Sequence, residues 1–326
     1  MSFTFRNLKR LGNRVAVSIP TDEAGFLGRE CPQQSCLGYF KLKPGTGLVG
    51  EGLPCHCPYC GHSASSDHFW TKEQVEYAQS HVLRKVGEAF QRDLKQLEFS
   101  APARGAFGIG VSLKVTGGRQ VPIRHYREKA LETHITCSGC TLQYAIYGVF
   151  AFCPDCRMHN STQILEMNLS LVAKQVALCA QVDDAGLRRR LLEDALENCV
   201  SSLDGFGRET CRVRAPQSSA PEKCESVSFQ NLERAAKRVR ELFGVDVQMA
   251  VGTESWEVAQ RGFMKRHVVS HRAGVVDQQY LDETNDPSAI VGRLVPLEEG
   301  EVARVAAATL EIGSALVRLL PIPAKK

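Results

Sequence analysis

Cysteine is the residue type whose spacing most clearly points to chemistry in this sequence. Nine of the 13 cysteines lie in two tight groups within the first half of the chain. The first group has the spacing C-x4-C, twenty residues, C-x2-C, and the second has C-x2-C, twelve residues, C-x2-C. Two such turns can direct four thiolates at one tetrahedral metal ion. The eight candidate ligands are Cys31, Cys36, Cys57, Cys60, Cys137, Cys140, Cys153 and Cys156.

The grouping of these cysteines indicates metal binding. The N-terminal sequence has no sustained apolar stretch of signal-peptide length, and clustered cysteines in an intracellular chain favour metal over disulfides. We therefore predict two structural Zn²⁺ sites, the second a four-cysteine zinc ribbon and the first a similar site with a looser C-x4-C turn. Cys55, His56 and His62 lie near the first site, and Cys55 is the best substitute ligand.

The predicted zinc sites lack a catalytic pattern. Zinc deaminases carry H-x-E before the C-x-x-C, whereas His134-Ile135-Thr136 has no glutamate. The sites are expected to hold the local fold, because a small ribbon buries too little surface without its metal. Binding of nucleic acid or protein by the ribbons stays open.

A second set of reactive side chains, Arg266, His267 and His271, lies near the end of a predicted helix. Histidine transfers protons near neutral pH, and arginine stabilises the charge that grows on a phosphate in a transition state. These are the groups needed to cleave RNA by attack of its own 2′-hydroxyl, with no metal in the chemistry. Cations are also favoured at any helix C-terminus, so a plain surface role fits the same residues.

The segment R-H-V-V-S-H at 266–271 resembles the motif of the HEPN (higher eukaryote and prokaryote nucleotide-binding) superfamily: an arginine, a polar neighbour and a histidine a few residues beyond. The resemblance covers residues 163–326, including G-V-V-D-Q-Q-Y-L after the motif. It implies an all-α bundle that forms a homodimer, with both Arg/His pairs lining one interfacial cleft. Many members are ribonucleases of toxins and antiviral systems, and others only bind.

The resemblance also implies an acidic or polar residue on an earlier helix that faces the arginine. Glu193, Asp194 and Glu197 are the candidates in this sequence, and Glu197 is preferred.

Capping and periodicity predict the elements that position these groups. Thr71 with Gln74 three residues later is a capping box, and the apolar spacing after it predicts a helix to about Leu97. Residues 107–126 and residues 141–152 have hairpin patterns.

Helical spacing dominates from residue 163 onward. Gly186, Gly244 and Gly274 lie between the predicted helices, as C-cap residues would. The four cysteines of this half are expected to pack as small hydrophobic side chains. They are Cys179, Cys199, Cys211 and Cys224.

These patterns predict a multidomain α+β chain with four parts. Its N-terminal small zinc-ribbon β units and intervening helix precede a C-terminal all-α HEPN-like helical bundle. The expected boundaries are a first zinc ribbon at 1–70, a connecting helix at 71–100, a β-hairpin and second zinc ribbon at 101–162, and the helical domain at 163–326.

Charge is distributed unevenly around a net value of +4. Residues 1–160 carry 19 Lys and Arg against 13 Asp and Glu, and residues 161–326 carry 21 against 23. The cysteine-rich half is the basic half, which fits either contact with nucleic acid or a solvated surface. The run Arg188–Arg190 fits a solvated helix start better than an RNA clamp.

No apolar run approaches the ~18–20 residues of a membrane span, so we expect a cytoplasmic protein.

The leading hypothesis is a metal-independent endoribonuclease of HEPN type with a role in bacterial defence or as a toxin. Arg266 would hold the scissile phosphate, His271 would act as general acid or base, His267 would assist, and Glu197 would face the arginine. The zinc ribbons would recognise RNA or a protein partner. The alternative is a non-catalytic zinc-ribbon adaptor for nucleic acid or protein whose helical domain dimerises.

Overall fold

A computed structural model describes residues 4–48, 53–101, 111–117, 121–124, 126–131 and 133–320. The chain divides into two compact units, Met1–Met158 and His159–Lys326. Small antiparallel sheets lie in the first unit, and the second is helical. Across the described ranges, no helix is both long and apolar enough to cross a membrane.

The first unit combines one long helix with strands of only three or four residues. Its elements in chain order are α1 (Arg6–Arg10), β1 (Leu27–Glu30), β2 (Tyr39–Leu42), β3 (Pro54–His56), β4 (Ser63–Ser65), α2 (Lys72–Lys95), β5 (Phe99–Ala101), β6 (Val111–Leu113), β7 (Thr133–Thr136) and β8 (Gln143–Ile146). Strands this short bury little area by themselves, so the turns between them must help to hold the unit together.

One four-stranded antiparallel sheet joins the two cysteine groups. Its strand order is β1-β2-β8-β7, and the central pairing sets Lys41 opposite Ala145 and Leu42 opposite Tyr144. The strands β1 and β2 flank the C-x4-C turn, while β7 and β8 flank the first C-x2-C turn of the second group. The two cysteine groups therefore share a sheet, which sequence spacing did not predict.

Neither expected hairpin pairs as predicted. In the hairpin predicted at 141–152, the strand β8 pairs with β7 and β2 and not with the residues just before Cys153. In the hairpin predicted at 107–126, the strand β6 pairs with β5, which precedes it, and the described residues of 119–126 form no strand. Part of this predicted hairpin lies outside the described residues, at 107–110, 118–120 and 125.

The helix α2 begins as predicted. Gln74 N donates to Thr71 Oγ1 and Thr71 N donates to Gln74 Oε1, both at 3.1 Å, which confirms the capping box. Much of its apolar stripe is exposed, including Val75 and Phe90, while the polar Asp93 is fully buried. The Asp93 carboxylate accepts the N–H groups of the first turn of α1 and so caps that helix.

The second unit contains seven α-helices within residues 159–320. They are α3 (Ser161–Cys179), α4 (Ala185–Arg214), α5 (Leu232–Phe243), α6 (Val247–Val251), α7 (Thr253–Arg272), α8 (Gln278–Thr284) and α9 (Glu299–Leu319). Its four cysteines are fully buried in the apolar core, as expected. Gly244 is a left-handed C-cap, as predicted, whereas Gly186 lies inside α4 and Ala273 takes the left-handed position before Gly274.

The helices α7 and α9 approach closely at a glycine. A Cβ atom added to Gly262 would lie 2.5 Å from Val305 Cγ2, a separation that real Cβ atoms do not show. By contrast, a Cβ added to Gly205 on α4 would meet nothing within 4 Å. Gly262 is therefore required by packing, and Gly205 is not.

A buried ion network ties the start of the second unit to α4. His159 Nε2 lies 3.1 Å from Glu209 Oε1, and Arg212 donates two hydrogen bonds of 2.7 Å to the same carboxylate. Burial acts to raise the pKa of Glu209, but hydrogen bonds and charge from Arg212 and His159 outweigh it and lower that pKa from 4.5 to about 2. The network therefore stabilises the fold while Glu209 is ionised.

We predict that Gly262→Ala lowers the free energy of unfolding by about 1–3 kcal/mol, because α7 and α9 must move apart. Gly205→Ala is the matched control, and it should be neutral or stabilising by up to ~1 kcal/mol because glycine is unfavourable within a helix. Thermal unfolding of the three proteins measures both effects. Equal melting temperatures for the two variants would contradict the close packing.

We predict that Glu209→Gln lowers the free energy of unfolding by about 3 kcal/mol at pH 7. This is the free energy that corresponds to a pKa lowered from 4.5 to about 2. A carboxyl group whose pKa is lowered by folding stabilises the protein at pH values above its pKa in the unfolded state. This stability is lost as the pH falls toward its pKa in the folded state. The difference in free energy of unfolding between the variant and wild type, measured by urea titration, should therefore decrease steadily below pH 4.5. The control Glu241→Gln removes a half-exposed ion pair with Arg238 and should change little. A gap independent of pH would refute this assignment.

Candidate metal centres and the arginine–histidine site

Two clusters of four cysteines each bring their sulfur atoms within 4.8 Å of one another. In the first, Cys31 and Cys60 are 3.6 Å apart and Cys36 and Cys57 are 3.7 Å apart, Sγ to Sγ. In the second, the closest sulfur pairs are both 3.5 Å apart. The members of the second cluster are Cys137, Cys140, Cys153 and Cys156.

These separations fit metal ligation and exclude disulfides in this structure. A disulfide joins its sulfurs at about 2.05 Å. Four thiolates about 2.3 Å from one tetrahedral ion lie about 3.8 Å apart, close to the separations observed here. Each cluster could therefore hold one metal ion.

A repeated backbone turn aims the sulfurs. In three of the four knuckles, the first cysteine's carbonyl accepts the N–H of the residue four positions later, at 2.9–3.0 Å. The residue after the second cysteine of every knuckle has a positive φ. Only one of these four residues is a glycine, so the turn geometry, and not a glycine signal, defines the knuckle. The four residues are Leu37, Gly61, Thr141 and Arg157.

The spare candidates near the first cluster take other positions. Cys55 lies in β3 opposite Ala64, outside the sulfur cluster. His56 Nδ1 lies 2.6 Å from Ser63 Oγ, and His62 Nδ1 lies 3.0 Å from Gln33 Nε2. The first cluster therefore uses the looser C-x4-C turn with four cysteines.

Arg266 is buried against α4. Its side chain is 8% exposed, and its Nε lies 3.4 Å from Glu197 Oε2. Within the described part of the chain this Nε forms no well-aligned hydrogen bond, so the contact is electrostatic. The other two acidic candidates on α4 pair elsewhere, Glu193 with Arg189 and Arg190, and Asp194 with Arg190. Glu197 is thus the carboxylate that faces Arg266.

Two hydroxyl groups complete the surroundings of Glu197. Ser201 Oγ donates to Glu197 Oε1 at 3.1 Å, one turn along α4, and Ser270 Oγ donates to Glu197 Oε2 at 3.3 Å from α7. Ser270 lies one turn after Arg266, so both residues present the same face of α7 to α4.

His267 and His271 lie together on the next face of α7. Both are exposed, and their ring centroids are 4.7 Å apart. Desolvation lowers the pKa of His267, and the nearby His271, Arg266 and Arg272 lower it further. His267 is therefore largely neutral at pH 7. Arg266 faces inward while the histidines face outward, as expected from a net turn of about 140° between Arg266 and His271.

A buried lysine next to Arg266 was not singled out from the sequence. Lys265 Nζ donates to Pro296 O at 2.8 Å and lies 2.7 Å from Glu301 Oε1 and 3.3 Å from Asp286 Oδ2. Tyr280 OH also donates to Asp286. Lys265 thus fixes the chain that follows α7 against α9. A lysine within a helical pattern gives no signal of burial, so only the fold reveals this role.

Comparison with family models, curated proteins and solved structures finds no match to this chain.

We predict that protein purified under reducing conditions holds two metal ions per chain, one for each cluster. Cys153→Ser should reduce this number to about one, because a tetrahedral site that loses a thiolate binds far more weakly. Cys55→Ser, a buried cysteine outside both clusters, should keep two ions. Elemental analysis by mass spectrometry measures the ratio. Loss of metal from Cys55→Ser would overturn the ligand assignment.

Proposed function

We propose that this protein is a metal-independent endoribonuclease of HEPN type with a role in bacterial defence or as a toxin. The observation that carries the proposal is the pairing of Arg266 with Glu197 beside the neighbouring rings of His267 and His271. An acidic partner on an earlier helix is what the resemblance implies for the motif arginine. The helical second unit also accords with the all-α bundle that the resemblance implies.

The proposed reaction is attack of an RNA 2′-hydroxyl on the adjacent phosphate. A histidine accepts the proton of the 2′-hydroxyl, the 2′-oxygen bonds to phosphorus, and the 5′-oxygen leaves with a proton. The products are a 2′,3′-cyclic phosphate and a 5′-hydroxyl. His271 serves as general acid or base, and the largely neutral His267 assists by accepting a hydrogen bond or proton.

Arg266 stabilises the charge that grows on the phosphate. Its guanidinium is paired with Glu197 and almost fully buried, so the phosphate must displace the carboxylate or reach the remaining N–H groups. Glu197 is 45% exposed and Arg266 is 8% exposed, so the carboxylate is the partner of the pair that substrate can reach first. Glu197 is thus proposed to hold the arginine in place until substrate arrives.

The first unit is proposed to carry two structural Zn²⁺ ions and to recognise the target. Thiolate-only tetrahedral sites suit zinc, and closed four-cysteine sites stabilise folds instead of performing chemistry. The excess of Lys and Arg in residues 1–160 favours RNA as the target of this unit. We further propose a homodimer through the helical unit, as the resemblance implies.

One observation favours the alternative, a non-catalytic adaptor for nucleic acid or protein. An arginine that is buried and paired with a carboxylate also fits a purely structural role. In that case the ribbons would bind nucleic acid or a partner protein, and the helical unit would only dimerise.

We predict that the purified protein cleaves RNA in the presence of EDTA during a brief incubation and that His271→Ala removes this cleavage. The matched control is His68→Ala, which removes an exposed histidine in the first unit. Both variants should melt like wild type, because neither side chain is buried. Cleavage products are resolved on denaturing gels.

Unchanged cleavage by His271→Ala would refute the mechanism, and binding without cleavage by wild type would favour the adaptor. If the purified enzyme needs a cellular trigger that the assay lacks, expression in cells that supply it should be toxic and Arg266→Ala should relieve the toxicity.

A further inference from the structure

A cavity of about 330 Å³ lies between α3 and α4. Its lining is uncharged and comprises Asn168, Leu171, Val172, Asn198, Ser201 and Ser202. Ser201 is also the residue that donates to Glu197, the partner of Arg266. The cavity therefore adjoins the proposed phosphate site through one shared side chain.

We propose that this cavity binds an adenine base of single-stranded RNA next to the scissile phosphate. The inference rests on the proposed ribonuclease function and adds the base that the site selects. The cavity volume falls within the usual range for small-molecule sites, and sequence-specific RNA recognition reads unstacked bases through hydrogen bonds to their edges.

The lining supplies the two kinds of contact that a base needs. Leu171, which is 55% exposed, provides an apolar surface for the face of the ring. The side-chain amide of Asn168 forms no hydrogen bond with any other described residue, so its donor and acceptor are both available. An asparagine amide matches adenine, because it can accept from N6 and donate to N7 together.

Asn198 is positioned as a secondary contact. Its Nδ2 donates to Gln175 Oε1 at 3.1 Å, which orients the amide and leaves Oδ1 as an acceptor. The two serine hydroxyls can bond to the ribose or to the base edge. With no charged group in the lining, the cavity does not repel a nucleotide.

A second cavity, between α7 and the end of α8, is less suitable. It measures about 230 Å³, and its lining includes the carboxylates of Glu257 and Glu283 with only Arg261 as a cation. A net negative lining opposes the approach of a phosphodiester chain. Of these two cavities, the one between α3 and α4 suits the base better.

The first test measures binding without cleavage. Fluorescent 2′-fluoro RNA pentamers, which lack the attacking hydroxyl, differ only in a central A, G, C or U. Wild type should bind the A pentamer about tenfold more tightly than the others, and Asn168→Ala should abolish this preference. The matched control Ser170→Ala changes an exposed residue on the same helix outside the cavity and should keep it. No base preference in wild type, or a preference that survives in Asn168→Ala, would overturn the inference.

The second test separates this inference from the proposed function. Cleavage sites on a mixed-sequence RNA should lie next to adenines for wild type and lose that bias in Asn168→Ala. Cleavage without adenine bias would overturn the subsite and keep the ribonuclease. An adenine preference in binding without any cleavage would keep the subsite and reject the ribonuclease. A change of oligomeric state in Asn168→Ala, measured by light scattering, would assign the cavity to a subunit interface and overturn the inference.

Discussion

Convergence of four sulfur atoms at each of two points is the interaction on which the first unit depends. Its strands are three or four residues long, and the apolar cluster at its centre contains five of the eight clustered cysteines as buried members. The cysteines thus form much of the core as well as the candidate metal sites. Without an ion, each cluster would present four thiols whose packing alone could not hold such short strands together.

The second unit is organised differently, around buried helices and paired charges. Lys265 and Arg266 are adjacent on α7, yet one anchors the following loop to α9 and the other faces α4. Both charges are balanced by carboxylates, as buried charges must be. The histidines on the outer face of α7 are therefore carried by a helix whose inner face is fixed at two points.

The sequence predicted features that depend on local spacing and missed those that depend on long-range pairing. The structure contains the features that follow from neighbouring residues. These are the capping box at Thr71, the four-cysteine sets and the helices of the second half. The shared sheet depends on β2 meeting β8, about a hundred residues later, which no local pattern encodes. The expected hairpins failed at shorter range, because β8 pairs with β7 and β6 pairs with β5. Glu197 could be separated from Glu193 and Asp194 only by the packing of α4 against α7, since all three lie within five residues. Whether these residues cleave RNA stays a prediction.

The pairing of β2 with β8 also has a thermodynamic consequence. An ion bound at one cluster orders two strands, and these strands form half of the sheet to which the other cluster is attached. The first ion thereby reduces the conformational entropy that the second must overcome, so the affinities of the two sites are linked and the linkage is reciprocal. Loading is then cooperative, and a chain that has lost one ion holds the other more weakly.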